Sequence, residues 1–279
     1  MSDATVFALI AGLFGLLIGS FLNVCIYRWP RDLSVVRPRS ACTNCNQLIA
    51  WYDNIPVLSY LILRGRCRGC GERISWMYPT VELITGIFFA WLVATEGVNL
   101  SAAKNCLFAA IMIGLIFSDL DTYLLPDEFT IGGLIAGLAF SFFVPLPPTV
   151  FGLFVELNGL HVGYRAISFG EALVGGFIPA GALWLLGWCF EKLRKKEGLG
   201  FGDVKMIAMM GTFLGLTGVV TTLLIGSVIG SIVGLAYLKI MRKDPATYYF
   251  PFAMFLGAAA LLVVATHGGI TSWYDHLLR

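Results

Sequence analysis

Long apolar runs constrain this chain more than any other feature of its sequence. A helix needs about 20 mostly apolar residues to cross the hydrocarbon core of a bilayer. Candidate runs lie near residues 5–27, 79–95, 102–118, 128–147, 167–190, 204–217, 219–239 and 249–267. Only 13% of the residues are charged, against about 25% in an ordinary soluble domain. The sequence therefore predicts an all-α polytopic membrane protein with about eight transmembrane helices.

The basic residues give these spans a direction. With eight spans and the N-terminus outside, only three of the 19 Lys and Arg residues, Lys104, Arg165 and Arg279, fall on the outer side. The positive-inside rule then makes the other side cytoplasmic. No basic residue precedes the first apolar run, so we interpret this run as an uncleaved span and not as a secretory signal. A Gly-Leu-Thr-Gly break near 215–218 is all that separates the sixth span from the seventh.

Four cysteines lie in the polar insert 28–78, which follows the first span. Cys42 and Cys45 form one Cys-x2-Cys pair, and Cys67 and Cys70 form a second pair after 21 residues. Two such pairs can place four thiolates around one Zn²⁺, which makes a closed, structural site. Two disulfides are the alternative, but the predicted cytoplasmic location is reducing. A metal ion would also stabilise a zinc-ribbon-like insert that is too small for a large core.

Two aspartates lie where predicted spans meet the cytoplasmic face. Asp119 ends the third span, and Asp203 begins the sixth, directly after Gly200-Phe201-Gly202. Acidic residues at membrane depth are costly and therefore indicate function. Two carboxylates that share a water, one ionised and one protonated, can hydrolyse an amide without a covalent intermediate. The glycines are expected to leave room for a substrate backbone, with an unusual backbone angle at Gly202.

Two other aspartates of the same segment have simpler interpretations. Asp127 follows Pro126 and is predicted to be the N-cap of the fourth helix, with Glu128 complementing the helix dipole. Asp121 is either a solvated loop acid or a further functional carboxylate. The outer segment 145–166 is Pro-rich at its start and is predicted to hold an interfacial segment.

An ordered set of motifs, spread through most of the chain, resembles the bacterial type IV prepilin peptidases. These motifs are the two cysteine pairs and the stretches GSFLNVCIYRWP (19–30), DNIPVLSYLILRGRC (53–67), ISWMYPTVELITG (74–86), SDLDTYLLPD (118–127) and GLGFGDVKMIAMMG (198–211). This family belongs to the GxGD intramembrane aspartyl proteases, and its catalytic pair corresponds to Asp119 and Asp203. The last span departs from the family pattern, because Ala253-Met254 follow Pro251-Phe252 where Gly-Pro is usual.

The resemblance implies two reactions at the cytoplasmic face of the bacterial inner membrane. The first removes the short basic leader of type IV prepilins and pseudopilins, and the second N-methylates the new N-terminal residue with S-adenosylmethionine. The expected partners are these substrates and the lipid bilayer, without nucleic acid. The implied regions are a first transmembrane helix at 1–27, a zinc-binding insert associated with methyl transfer at 28–78, and a transmembrane peptidase core at 79–279.

No glycine-rich nucleotide fingerprint marks a site for the methyl donor. By resemblance, the candidate region for cofactor binding contains Asp53, Asn54 and Glu82.

Two other classes of function could use the same residues. A proton-coupled transporter would use Asp119 and Asp203 as a relay, but such relays favour carboxylates near mid-bilayer and repeated halves. A membrane scaffold without catalysis would need only the zinc-binding cysteines. Incubation of the purified protein with a prepilin, followed by N-terminal sequencing of the product, distinguishes all three.

Overall fold

The computed structural model describes residues 2–195, 200–241 and 251–266. Within these ranges the chain forms nine α-helices and no β-strand. The helices are α1 (Asp3–Arg28), α2 (Leu58–Ile62), α3 (Met77–Glu96), α4 (Leu100–Thr122), α5 (Asp127–Ser141), α6 (Val150–Leu157), α7 (Tyr164–Arg194), α8 (Phe201–Met241) and α9 (Phe252–Ala265). Short 3-10 helices cover Trp29–Arg31 and Trp51–Asn54. The predicted all-α architecture is confirmed.

Five of these helices are long and apolar enough to cross a membrane, namely α1, α3, α4, α7 and α8. Helix α9 is apolar but shorter, with 14 residues. On α1 the large apolar side chains of Leu9, Ile10 and Leu13 are exposed, as expected of a helix that faces lipid. A polytopic membrane protein follows, whereas the number of eight spans stays a prediction.

Helix α8 is interrupted at Gly215, whose φ of 69° and ψ of −179° are not helical. Glycine adopts a positive φ without steric cost. Two helical segments therefore meet at this residue, inside the break that the sequence predicted near 215–218. The sixth and seventh apolar runs correspond to these two segments.

The chain divides into two compact units, Met1–Asp121 and Thr122–Arg279. In the first unit α1 packs along α3. A Cβ on Gly19 would lie 2.6 Å from the Cα of Glu82, and one on Gly15 would lie 2.8 Å from the carbonyl oxygen of Thr85. These glycines bring the two helix backbones together, as small residues do between membrane helices.

In the second unit α8 packs against α5, α7 and α9. Its contact with α7 is again made by glycines: a Cβ on Gly211 would lie 1.9 Å from the carbonyl oxygen of Gly175, and one on Gly175 would lie 2.7 Å from the carbonyl carbon of Gly215. No side chain fits at these positions. The backbone contact therefore sets how α8, which begins close to Asp203, lies against α7.

The segment 145–166 is held against α7 and contains α6. Glu171 of α7 is fully buried, and its carboxylate accepts hydrogen bonds from the N–H and hydroxyl of Thr149 and from the N–H of Gly152. Carboxylates satisfy free N–H groups at the start of a helix in this way. The other face of α6 exposes apolar side chains, those of Val150, Leu153, Phe154 and Leu157. An interfacial location for this segment stays a prediction.

Candidate active site and metal centre

The two cysteine pairs form two turns with the same backbone hydrogen bonds. In the first turn the N–H of Cys42 donates to the carbonyl of Gln47 at 3.0 Å, and the N–H of Asn46 donates to the carbonyl of Cys42 at 2.9 Å. The equivalent bonds of the second turn run from Cys67 to Glu72 and from Gly71 to Cys67. Asn46 and Gly71 both have positive φ angles, of 56° and 73°, which Asn and Gly tolerate best. The insert is thus built from two matching turns.

The four sulfur atoms of these turns converge. They lie within 4.8 Å of one another, and the Sγ atoms of Cys42 and Cys70 are 3.8 Å apart. A tetrahedral zinc with Zn–S bonds of about 2.3 Å places its sulfurs about 3.8 Å apart. All seven cysteines are free thiols, so the structure does not contain the disulfides that were the alternative. The donor set and its geometry fit a closed four-sulfur zinc site.

The pKa values of the two thiols in the first turn, Cys42 and Cys45, are shifted in opposite directions. The backbone amides of Cys45 and Asn44 lower the pKa of Cys42 to about 7. At Cys45 the Gln47 amide acts in the same direction, but desolvation and the neighbouring thiols outweigh it and raise the pKa of Cys45 to about 11. The Cys42 thiol therefore ionises readily, whereas desolvation and the neighbouring thiols oppose ionisation of Cys45. A divalent cation removes this opposition, because a coordinating thiol is deprotonated outright.

Arg68 connects the second turn to the 3-10 helix Trp51–Asn54. Its guanidinium donates from Nε to Oδ2 of Asp53 at 2.7 Å and from Nη2 to Oδ1 at 2.6 Å. These hydrogen bonds hold the pKa of Asp53 below its ordinary value. Asp53, a candidate for the cofactor-binding region, thus accepts one hydrogen bond from Arg68 at each carboxylate oxygen, and its part in cofactor binding stays a prediction. Asn54, the second candidate, is the last residue of this 3-10 helix.

Glu82, the third candidate, links the insert to a membrane helix. Its side chain projects from α3 and is buried. Oε2 accepts a hydrogen bond of 2.7 Å from the N–H of Val57, and Ser20 of α1 hydrogen-bonds the same carboxylate. The candidate region is therefore a connection between the insert and the first pair of membrane helices.

Asp119 lies in the last turn of α4 and is only 6% exposed. Asp121 follows in the same turn and accepts a hydrogen bond of 3.1 Å from Nη2 of Arg31. Arg31 also donates to the carbonyl of Tyr27 at 2.7 Å, and its guanidinium lies over the Tyr27 ring. Asp121 is thus a partly exposed helical carboxylate paired with Arg31 of the 3-10 helix that follows α1, which differs from a solvated loop acid.

Asp203 is in the first turn of α8, where its N–H donates to the carbonyl of Gly200 at 3.1 Å. A Cβ on Gly202 would lie 3.3 Å from two side-chain atoms of Leu125. Gly202 belongs to the helix and its φ does not lie in the left-handed region, so the expected unusual backbone angle is wrong. Close packing against Leu125 is the reason for a small residue here. The motif residues 198–199 lie outside the described ranges.

Asp127 is the first residue of α5 and not its N-cap, a position that Pro126 takes. The physical reason is that the carbonyl of Pro126 accepts a hydrogen bond from the N–H of Thr130 at 3.1 Å. The residue whose carbonyl accepts the first hydrogen bond within the helix is the N-cap. The Asp127 carboxylate instead pairs with Nζ of Lys205. No pattern in the sequence predicts this pair, because 78 positions separate its members.

The two aspartates proposed for catalysis belong to different units. Asp119 lies in the unit that ends at Asp121, and Asp203 in the unit that begins at Thr122. Their pairing at one membrane face stays a prediction.

These features define a polytopic helical membrane protein with a four-cysteine cluster that can hold a metal ion and acidic residues at the ends of two membrane helices. Residues 13–95 match the family model of the bacterial peptidase A24 N-terminal domain, and residues 106–235 match that of the type IV leader peptidase family. The chain belongs to the type IV leader peptidase family.

Curated relatives cover most of this chain, and each is named prepilin leader peptidase/N-methyltransferase. The protein from Aeromonas hydrophila is 34% identical over 94% of this chain and 91% of its own length. That from Neisseria gonorrhoeae is 33% identical over the whole of both chains. The protein from Myxococcus xanthus is 39% identical over 86% of this chain. The matched stretch is 66% of that relative's own length. No solved structure matches the chain.

Proposed function

We propose that this chain is a bifunctional membrane enzyme that removes the leader of type IV prepilins and pseudopilins and then N-methylates the new N-terminal residue. The observation that carries the proposal is the family match over residues 106–235, a stretch that contains both Asp119 and Asp203. Relatives named for both activities match 94% and 100% of this chain.

In leader removal, Asp119 and Asp203 act together on one water. One carboxylate takes a proton from the water, whose oxygen attacks the carbonyl carbon of the scissile amide. The other carboxyl group protonates the leaving nitrogen as the C–N bond breaks. No covalent intermediate forms, and the pair returns to its starting protonation after proton exchange.

Helix position distinguishes the two roles. Asp203 lies in the first turn of α8, where the positive end of the helix dipole favours negative charge. Asp119 lies in the last turn of α4, where the dipole favours an uncharged group. We therefore assign the base to Asp203 and the acid to Asp119.

We place this chemistry at the cytoplasmic face of the inner membrane, with the N-terminus outside. The support is the distribution of Lys and Arg along the sequence. A basic leader then stays in the cytoplasm while the apolar segment of the substrate lies in the bilayer, which brings the scissile bond to the interface.

We divide the chain into a first transmembrane helix at 1–27, a zinc-binding insert at 28–78 and a peptidase core at 79–279. The four cysteines hold a structural zinc, because their sulfurs leave no coordination position open. The leader peptidase match begins only at residue 106. We therefore assign methyl transfer to the preceding part of the chain.

S-adenosylmethionine, when bound, supplies the methyl group. Asp53, Asn54 and Glu82 are its candidate binding region. Arg68 donates one hydrogen bond to each carboxylate oxygen of Asp53, which fixes the orientation of this carboxylate and leaves it further acceptor positions.

The test is a single reaction with two readouts. The purified protein in detergent is incubated with a prepilin, with and without S-adenosylmethionine, and the product is sequenced from its N-terminus and weighed. We expect leader removal in both samples and a mass increase of one methyl group only with the donor. An intact prepilin would refute the proposed function. Cleavage without methylation would refute its second half.

A further inference from the structure

Val57 has a backbone conformation that is rare for its side chain. Its φ of 62° and ψ of −48°, together with a hydrogen bond of 2.6 Å from the N–H of Leu58 to the carbonyl of Pro56, form a γ-turn of the strained kind. A β-branched residue at positive φ is a genuine outlier. Such strain persists only where the surroundings enforce it, and it concentrates at functional sites.

Glu82 supplies the constraint. The N–H of Val57 points at Oε2 of Glu82, 2.7 Å away, and the carboxylate lies on the buried side of α3. Ser20 hydrogen-bonds the same group, and the backbone of α1 at Gly19 packs directly on the Cα of Glu82. The Glu82 carboxylate, which is held by contacts with α1 and α3, thus accepts a hydrogen bond from Val57. Val57 is the one strained residue of the stretch DNIPVLSY (53–60).

The other end of this stretch is tied to the metal centre. Ser59, which is buried, accepts from the N–H of Ile55 at 3.0 Å and donates to the carbonyl of Tyr52 at 2.9 Å. Asp53, next to Tyr52, is held by Arg68 between the two cysteines of the second turn. The segment 51–59 is therefore fastened to the metal centre at one end and to α3 at the other.

We propose that Glu82 is a positioning residue for N-methyl transfer. Its carboxylate holds the Val57 turn and so fixes segment 51–59 between the metal centre and the membrane helices. The inference rests on the proposed function, and on the position of this segment inside the N-terminal family match at 13–95, before the leader peptidase match begins. Glu82 acts through hydrogen-bond acceptance by its side chain and exchanges no proton with the substrate.

Three variants of the full chain test this role. Glu82→Gln keeps an oxygen that accepts from Val57, so methylation should stay near the wild-type rate. Glu82→Ala removes the acceptor, and misplacement of the segment should lower methylation of a cleaved pilin by about tenfold or more. Leader removal should continue in both variants. The double variant Val57→Gly/Glu82→Ala should recover most methylation, because glycine adopts positive φ without the constraint.

Val36→Gly/Glu82→Ala is the matched control, since Val36 is an exposed valine elsewhere in the insert and its replacement should recover nothing. Trypsin gives a readout apart from activity: cleavage after Arg66 should be faster in Glu82→Ala than in the wild type, and slower again in the double variant with Val57→Gly.

Two results would overturn the proposal. If Glu82→Gln loses methylation as completely as Glu82→Ala, the carboxylate itself takes part in the reaction. If the double variant Val57→Gly/Glu82→Ala restores neither methylation nor resistance to trypsin, Glu82 does not act by supporting the Val57 turn. Absence of methylation by the wild-type protein would instead refute the proposed function, so the two failures are distinguishable.

Discussion

Arg68 holds Asp53 by two parallel hydrogen bonds, of 2.7 Å from Nε and 2.6 Å from Nη2. Arg68 lies between Cys67 and Cys70 of the candidate metal centre, and Asp53 belongs to the 3-10 helix Trp51–Asn54. This one pair therefore joins the metal centre to the segment that leads to α3. The Asp53 side chain is 11% exposed, whereas that of Arg68 is 57% exposed.

The first prediction concerns this pair. Asp53→Ala and Arg68→Ala should each weaken zinc retention by about tenfold, as loss of partners around metal ligands commonly does, and the double variant should be no worse than either. Arg68→Lys should resemble Arg68→Ala, because lysine cannot make the two-pronged bond. Competition with a coloured chelator measures retention. Additive losses would show that the two side chains act separately.

The pH dependence of this pair has a defined sign. Arg68 lowers the pKa of Asp53 from its ordinary value of 3.8. The contribution of this pair to the stability of the folded insert is therefore complete above pH 3.8 and is lost only as the pH falls through the lowered pKa. Zinc retention by the wild type and by Asp53→Ala should therefore show the same dependence on pH near neutrality.

The second prediction is that Asp119→Asn and Asp203→Asn each abolish leader removal. Asparagine keeps the shape of aspartate but neither ionises nor delivers a proton, a loss of about 10²–10⁴-fold for one acid–base group. Both variants should remain folded and zinc-loaded, which metal analysis checks. Methylation of a previously cleaved pilin should survive if the two sites are separate.

Asp121→Asn and Asp127→Asn are the matched controls. Each of these carboxylates is partly exposed and paired with a basic side chain, Arg31 or Lys205, and exposed pairs contribute about 1 kcal/mol or less to stability. Both variants should retain substantial cleavage at equal membrane levels. An indispensable Asp121 beside a dispensable Asp119 would show that the catalytic pair is misassigned.

The third prediction is one zinc ion per chain. Cys42→Ser and Cys70→Ser should lower the metal content and the yield of folded protein, because each removes one of four converging thiolates. Methylation should decline more than cleavage. Elemental analysis of active protein provides the check, and Cys189→Ser, which changes an exposed thiol outside the centre, should leave zinc unchanged.

The fourth prediction concerns the contact between α7 and α8. Gly211→Val should destabilise the protein by about 1–3 kcal/mol or more, because the new side chain would overlap the Gly175 backbone. Thermal unfolding in detergent, followed by circular dichroism, measures the loss. Gly132→Ala is the control with the opposite sign: no atom lies within 4 Å of the added Cβ, and alanine stabilises a helix by about 0.5–1 kcal/mol over glycine.

The fifth prediction is topological. In a Cys189→Ser background, an impermeant thiol reagent added to cells should label His161→Cys and should not label Val36→Cys until the membrane is opened. Both positions are exposed, so access depends on the side of the membrane. The reverse pattern would place the cysteine insert outside and with it the proposed cleavage site.

The sequence alone determined the features that depend on local pattern. Apolar runs of bilayer length indicated the membrane helices, because a spanning backbone must satisfy its own hydrogen bonds. The Gly-rich break near 215–218 indicated the interruption at Gly215 for the same local reason. Fixed spacing within each cysteine pair indicated the metal centre, since two turns of this kind present their thiols in a set direction.

Only the tertiary structure decided which side chains are partners. Lys205 with Asp127, Arg31 with Asp121, and Glu82 with Val57 are separated by 78, 90 and 25 positions, and no periodicity in the sequence records such a distance. The resemblance placed Asp53 and Glu82 in a candidate cofactor-binding region, and only the structure shows that their carboxylates accept hydrogen bonds from Arg68 and Val57. Hydrogen-bond partners over such separations depend on where helices cross. The crossings are set by glycine contacts, such as that of Gly19 in α1 with the backbone of α3 and that of Gly211 in α8 with the backbone of α7.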